Sequence, residues 1–189
     1  MADTRTVAVL VGSLRKDSLN RKAALALAAM APASLKLEIV EIGELPLYNE
    51  DLENASPKPA AWLAFRDRVR PADGVLFVTP EYNRSVPGGL KNAIDVGSRP
   101  YGQSVWSGKP CGVMSLTPGG LGAFGANHHI RASFVFLDMP AMQQPEAYIS
   151  GAGTMFAPDG TISNEATRKL FEKYIAAFAV WVEQHSRQS

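Results

Sequence analysis

Thr6 to Asn20 reads TVAVLVGSLRKDSLN. Its first six residues form an unbroken apolar, β-branched run that stops at Gly12, the pattern of a short strand covered on both faces. Gly12 to Asp17 make a polar turn. Ser18 to Met30 (SLNRKAALALAAM) is rich in Ala and Leu and opens on Ser and Asn, both good helix caps, which predicts a helix. A buried strand that passes through a polar turn into a helix is the opening unit of a parallel α/β sheet.

The rest of the chain repeats that unit. Leu35 to Ile42 alternates as LKLEIVEI and predicts a second strand, at the sheet's edge because charges interrupt it. Ser56 to Arg70 carries Trp62, Phe65 and Val69 at helical spacing, and Val75 to Thr79 is a third, buried strand ending at Pro80. A short helix at Leu90 to Val96, a fourth strand at Gly112 to Leu116, a helix at Asn127 to Leu137 and a fifth strand at Ala141 to Tyr148 follow. Ser163 to His185 closes the chain as an amphipathic helix with Leu170, Tyr174, Phe178 and Trp181 on one stripe. Residues 43–59 and 151–162 read as turn-rich connections within one domain spanning 1–189.

Composition narrows the function classes. The chain has 189 residues, 46% of them apolar, with 19 Lys plus Arg against 18 Asp plus Glu, a net charge of +1. A single domain of that length buries about 70% of its unfolded surface, enough for a core without disulfides or a structural metal. A near-zero charge without basic blocks gives no footprint for nucleic acid or an anionic membrane. One cysteine and three histidines supply neither a disulfide nor a four-ligand zinc site. The first apolar run is too short for a signal core, and no stretch approaches the roughly 20 residues needed to span a bilayer, so the expected address is the cytoplasm.

In an open parallel sheet, ligands sit beyond the carboxyl ends of the strands, where the winding reverses. The loops there read GSLRKDSLN (Gly12 to Asn20), PEYNRSVPGGLKN (Pro80 to Asn92) and TPGGLGAFG (Thr117 to Gly125). The first has one glycine, so it is neither a three-glycine dinucleotide fingerprint nor a Walker A loop. Ser13, Arg15, Ser18 and Asn20 stand just before or in the first turn of a helix, where hydroxyls, an amide, a guanidinium and unpaired N–H groups can surround a phosphate; helix capping by Ser18 or Asn20 and a solvated Arg15 is the plainer alternative. Tyr82 and Asn83 offer a planar ring and a donor–acceptor pair beside a buried strand, with Glu81 as a surface charge or a helix-end partner. Gly119, Gly120 and Gly122 permit backbone amides to approach a ligand closely.

Other residues offer less. His128 and His129 point about 100° apart on a helix and cannot act as paired ligands, so an interface or surface role fits them. Cys111 adjoins a buried strand start and reads as a packed thiol. There is no nucleophile elbow, and the Trp62, Phe65 and Trp181 stripes read as core. Arg84 beside the second loop can meet a phosphate or be solvated.

With VGSLRKDSLN near the start and TPEYNRSVPGGLKNAID at Thr79 to Asp95, in that order, the chain resembles the NAD(P)H-dependent FMN reductase family, the flavodoxin-like quinone and chromate reductases of bacteria. The resemblance covers nearly the whole chain. It implies a flavodoxin-like three-layer sandwich, a five-stranded parallel sheet of order 2-1-3-4-5 with helices on both faces. It also implies that Ser13, Arg15, Ser18 and Asn20 hold the FMN phosphate, that Pro80, Glu81, Tyr82 and Asn83 line the isoalloxazine largely through backbone groups, and that Leu116, Thr117, Pro118 and Gly119 border its pyrimidine side. The implied reaction is ping-pong hydride transfer from NADH or NADPH through FMN to quinones, with chromate, ferric chelates, azo compounds and free flavins as other acceptors. The implied assembly is a homodimer or homotetramer. The chain departs from the family after Asp95, where Val96-Gly97 replaces a larger, often aromatic side chain in what the resemblance makes the pocket's outer wall. Two rival readings are a non-enzymatic flavodoxin-type electron carrier, disfavoured by the lack of docking charge, and a nucleotide-binding regulatory module.

Overall fold

The computed structural model describes residues 4–186. Five parallel strands form one sheet in the order β2-β1-β3-β4-β5, as the resemblance implied. They are β1 (Arg5–Val11), β2 (Leu35–Ile39), β3 (Gly74–Thr79), β4 (Cys111–Leu116) and β5 (Tyr148–Ile149). The α-helices among the described residues are α1 (Leu19–Met30), α2 (Glu50–Asn54), α3 (Ala60–Val69), α4 (Gly88–Gly97), α5 (Phe124–Leu137) and α6 (Glu165–His185).

Because successive strand residues point to opposite faces, the continuous apolar runs build two cores at once. Val7, Val9 and Val11 of β1, Leu76 and Val78 of β3 and Met114 and Leu116 of β4 pack with α1 and α6. Ala8 and Leu10, Val75 and Phe77, and Cys111 and Val113 pack with α3, α4 and α5 on the other face. Burial pushes the Cys111 thiol far above its usual range, so it is an inert packed group, as expected.

Two expectations need correction. The fifth strand does not run from Ala141 to Tyr148. The chain bridges β4 first at Ala141, opposite Cys111, and forms a ladder with it at Tyr148–Ile149, which pair with Ser115 and Leu116. Between them lie Gln143, Gln144 and Pro145, and a proline has no N–H for the ladder. The connection 43–59 is not wholly irregular either. Asn49 caps the short α2 by accepting from Asp51 N, and Glu50, Asp51 and Glu53 suit its N-terminus.

That connection is tied down from several elements. The Asn92 side chain on α4 accepts from Tyr48 N at 2.8 Å and donates to the Leu45 and Pro46 carbonyls. Trp62 Nε1 also donates to Pro46 O, at 2.9 Å. Glu53 and Arg66 form a buried ion pair, joined by Lys58, while Arg66 Nε donates to Val96 O at the end of α4. Burial opposes ionisation of Glu53, but the bonds from Arg66 and Lys58 outweigh it and hold the carboxyl below the usual glutamate range.

Val96 and Gly97 lie in this core rather than on an outer wall. A Cβ at Gly97 would come within 2.3 Å of the Trp106 ring, whose Nε1 donates to Ile94 O. The bulk that the resemblance leads one to expect at this point is supplied by Trp106 from the following loop.

Candidate functional site

The winding direction reverses between β1 and β3, and there the first two loops meet. Gly12 N donates to Val78 O at 2.9 Å, and a Cβ at Gly12 would fall 2.6 Å from Thr79 Oγ1. Only glycine lets the turn after β1 press against the end of β3. Ser13 is buried in that turn, and the backbone N–H groups of Ser13, Leu14, Lys16 and Asp17 have no acceptor among the described residues. Ser18 caps α1, its Oγ accepting from Arg21 N at 3.3 Å. Asn20 in the first helical turn is only 4% exposed, yet its Oδ1 has no hydrogen-bond partner. A buried acceptor left without a donor is costly, and a ribityl hydroxyl is a donor that would satisfy it. Unpaired N–H groups at a helix start are what a phosphate requires. The residues thus fit a phosphorylated, hydroxylated ligand tail. Arg15 stands at the exposed rim, lining a wider cleft of about 550 Å³ shared with Lys16 and the end of β2. That cleft also holds Glu44 and the Arg21–Glu41 ion pair, whereas the unpaired N–H groups stand in the inner turn.

The second loop is a tight turn. Tyr82 and Ser85 exchange backbone hydrogen bonds of 3.1 and 3.0 Å, and the two central residues, Asn83 and Arg84, have φ of 50° and 64°. This is a type I′ turn, in which Asn is favoured and Arg is strained. Pro80 leads into it, and Tyr82 is half exposed at its rim. The Glu81 side chain turns away toward α5 and accepts from Ala126 N at 3.2 Å. That bond substitutes for a missing cap, since Ala123, the residue before α5, has no capping side chain and lies at φ 56°. A Cβ at Gly125 would lie 2.8 Å from Arg84 O and 2.9 Å from Glu81 Oε2, so the helix start must be bare for the loop to seat on it.

The third loop is held from beneath by a buried polar chain. Ser115 Oγ donates to Gly122 O at 2.7 Å and accepts from Asn127 Nδ2; Asn127 Oδ1 accepts from Arg131 Nε, and Arg131 Nη1 donates to Met142 O. Leu116 points into the core beside α1 and α6, so only its backbone is available to a ligand. Thr117 Oγ1 accepts from Gly119 N at 3.2 Å, and Pro118, Gly119 and Gly120 are exposed. Glu81, Arg84, Thr117, Gly119 and Gly120 line a cleft of about 290 Å³ between the second and third loops.

The two histidines diverge, as their adjacency required. His129 Nδ1 pairs with Ser85 Oγ at 3.0 Å on the second loop. His128 Nε2 lies 2.9 Å from Tyr148 Oη, which itself donates to Glu146 Oε1, also at 2.9 Å. Burial, with the Glu146 bond, pushes Tyr148 up to about 12. Among the described residues, no group of three or more His, Cys, Asp or Glu could hold a metal ion, and no helix is long and apolar enough to cross a membrane. The contacts of Glu81 with α5 and of Ser115 with Asn127 span 45 and 12 residues. Neither carries a local signal by which a reading of the chain could find it.

Residues 5–154 match the family model for NADPH-dependent FMN reductase. The chain belongs to that family. Its fold and cradle therefore serve an oxidoreductase that uses FMN and draws electrons from NAD(P)H, and the electron-carrier and regulatory-module readings fall away. A quinone reductase of Pseudomonas putida is 61% identical over 183 residues, covering 97% of each chain. A 2-hydroxy-1,4-benzoquinone reductase of a Burkholderia species is 46% identical over 176 residues, 93% of this chain and 95% of that one. Among solved structures, FerB from Paracoccus denitrificans, a flavoenzyme NAD(P)H:(acceptor) oxidoreductase, superposes with a TM-score of 0.91 at 43% identity, covering 97% of this chain and all of the other.

Proposed function

We propose that this FMN reductase family member is a two-electron quinone reductase. The observation that carries the reading is the meeting of the first two loops at the switch point of the sheet with the third beside them after β4, in a chain 61% identical to a quinone reductase. When bound, FMN supplies a two-electron relay between nicotinamide and acceptor. The chain's own task is to hold and orient. Ser13, Ser18, Asn20 and the free N–H groups of the first loop grip the phosphate and ribityl chain, with Arg15 adding charge at the rim. Pro80 to Asn83 present the backbone of a rigid turn to one edge of the ring. Leu116 to Gly119 border the other through backbone groups, where amide donors favour negative charge on the pyrimidine side. The hydride chemistry would be the cofactor's own, and these residues would hold its ring in place for nicotinamide and acceptor.

Quinones are the acceptors this arrangement serves best, being flat. Chromate, ferric chelates, azo compounds and free flavins are further acceptors of the same exposed face. A second copy of the chain covers the outer side of α5, where Phe124, Val135 and Phe136 stand exposed beside Tyr101, an apolar area that a lone chain would leave to water; light scattering of the holoprotein tests a dimer or tetramer. The cytoplasm, where nicotinamide donors are available and a lone thiol stays reduced, is the compartment that suits this chemistry. The deciding experiment is the absorbance spectrum of purified protein, followed by anaerobic NADH or NADPH and then a quinone. Bleaching by the nicotinamide and recovery on quinone addition is the expected result; a protein that retains no FMN, or whose flavin no nicotinamide bleaches, refutes the reading.

A further inference from the structure

The turn that carries Tyr82 and Asn83 holds one residue with no role so far. Arg84 sits at φ 64°, a conformation that costs an arginine about 1 kcal/mol relative to an unstrained one. It is kept there by the paired Tyr82 and Ser85 bonds, by His129 on Ser85, and by the seat of the Arg84 carbonyl against Gly125. Strain that the surroundings impose is a reason to ask what the side chain does. The Arg84 side chain is 75% exposed and lines the cleft between the second and third loops. Its recorded ionic contact is a long one, 3.4 Å from Nη1 to Glu81 Oε1.

The cleft's charge is set by two side chains, Glu81 and Arg84. Glu81 is 11% exposed, and its Oε2 accepts from Ala126 N at the positive end of α5. Its other oxygen, Oε1, holds Arg84 Nη1 by that one long contact. The rest of the guanidinium stays exposed at the mouth, with the backbone of Gly119 and Gly120 across from it. We infer that Arg84 is a specificity-determining residue that selects electron acceptors bearing a negative charge, of which an ionised hydroxyquinone, a vinylogous carboxylic acid, is the type. A guanidinium matches such a pair of conjugated oxygens in a planar fork. Arg84 makes and breaks no bond. The overall balance is NAD(P)H plus one proton plus quinone giving NAD(P)+ plus hydroquinone, that proton coming from solvent.

The inference rests on the quinone reductase reading, and the experiment separates the two. Steady-state kcat/KM is measured for the FMN-loaded enzyme with 1,4-benzoquinone and with its ionised 2-hydroxy derivative, using NADH and NADPH in turn. Arg84→Gln lowers the ratio of charged to neutral acceptor about fivefold at low salt, the scale of an exposed ion pair, and the difference shrinks as salt is raised. Arg84→Lys, with the same backbone strain, recovers most of the ratio. Lys173→Gln on α6, an exposed residue on the opposite face, removes equal charge and leaves the ratio unchanged. An unchanged ratio in Arg84→Gln, or a loss confined to NADPH in the flavin-bleaching step, overturns the inference; the latter assigns the guanidinium to the dinucleotide phosphate. A wild-type enzyme that reduces neither quinone overturns the underlying reading as well.

Discussion

Glu81→Ala removes the carboxylate that joins the second loop to the start of α5. The bond to Ala126 N is 3.2 Å, the side chain is 11% exposed, and the helix has no cap of its own. A hydrogen bond to a charged group contributes about 1.5 to 3 kcal/mol, and a partly buried charge at a helix end up to roughly 2 kcal/mol. Both describe one contact, so they are not added, and about 2 kcal/mol is expected for Glu81→Ala. Glu81→Gln keeps an acceptor oxygen and loses the charge, so it costs about half of that. Gly125→Ala attacks the same joint from the other side, since its Cβ would lie 2.9 Å from Glu81 Oε2 and 2.8 Å from Arg84 O. Overpacking of this kind costs about 1 to 3 kcal/mol. The two changes share partners, so the double variant should lose less than the sum of the singles. Urea unfolding of the FMN-free protein measures the stabilities, and fluorescence titration measures FMN affinity, which falls in the order Gln then Ala. If Glu81→Ala unfolds within 0.5 kcal/mol of wild type and binds FMN equally well, the joint between the loops has no energetic content.

Arg66→Ala leaves Glu53 buried without its main partner and costs about 3 to 5 kcal/mol by chemical denaturation. Because Glu53 is held below its ordinary range, the stability it brings is fully present above that range and is lost as the pH falls through the lowered folded value; the acid limb of a stability–pH curve should flatten in Glu53→Gln. Gly97→Ala drives a methyl into the Trp106 ring and lowers stability by about 1 to 3 kcal/mol, read by thermal unfolding, with a blue- or red-shifted tryptophan emission as the local sign. Arg15→Ala weakens FMN binding by about 1 kcal/mol, less at high salt, because the side chain lies at the exposed rim; an affinity independent of salt in wild type and variant alike removes Arg15 from the site.

The sheet was legible because β1, β3 and β4 are covered on both faces and so appear as unbroken apolar runs flanked by turn residues. The edges were harder. The chain meets β4 at Ala141 and again at β5, and a linear reading joins the two because it does not show the excursion through Gln143, Gln144 and Pro145 between them. The three loops could be placed from their turn residues and their position after strands. Their mutual fastening could not, since it depends on contacts such as Ser85 with His129, 44 residues away. The Val96-Gly97 pair is instructive in the same way. Its meaning depends on Trp106, nine residues beyond Gly97, folding back to donate from Nε1 to Ile94 O.

These fastenings are what the chain itself contributes to the redox reaction. Chemistry delegated to a cofactor leaves the protein to control the distance between ring and partner, and a misplacement of about 1 Å is enough to cost much of the rate. Each loop here is therefore held by something other than itself: the first by Gly12 against Thr79, the second by Glu81 and His129 on α5, the third by the Ser115 to Arg131 chain. Two of the three supports run through α5, so its first turns set the spacing of the second and third loops. A cradle ordered in advance does not have to pay the entropy of closing on its ligand. Gly119 and Gly120 are tied in the same way: Gly119 N donates to Thr117 Oγ1, Gly119 O accepts from Gly151 N, and Gly120 O accepts from Ser150 Oγ.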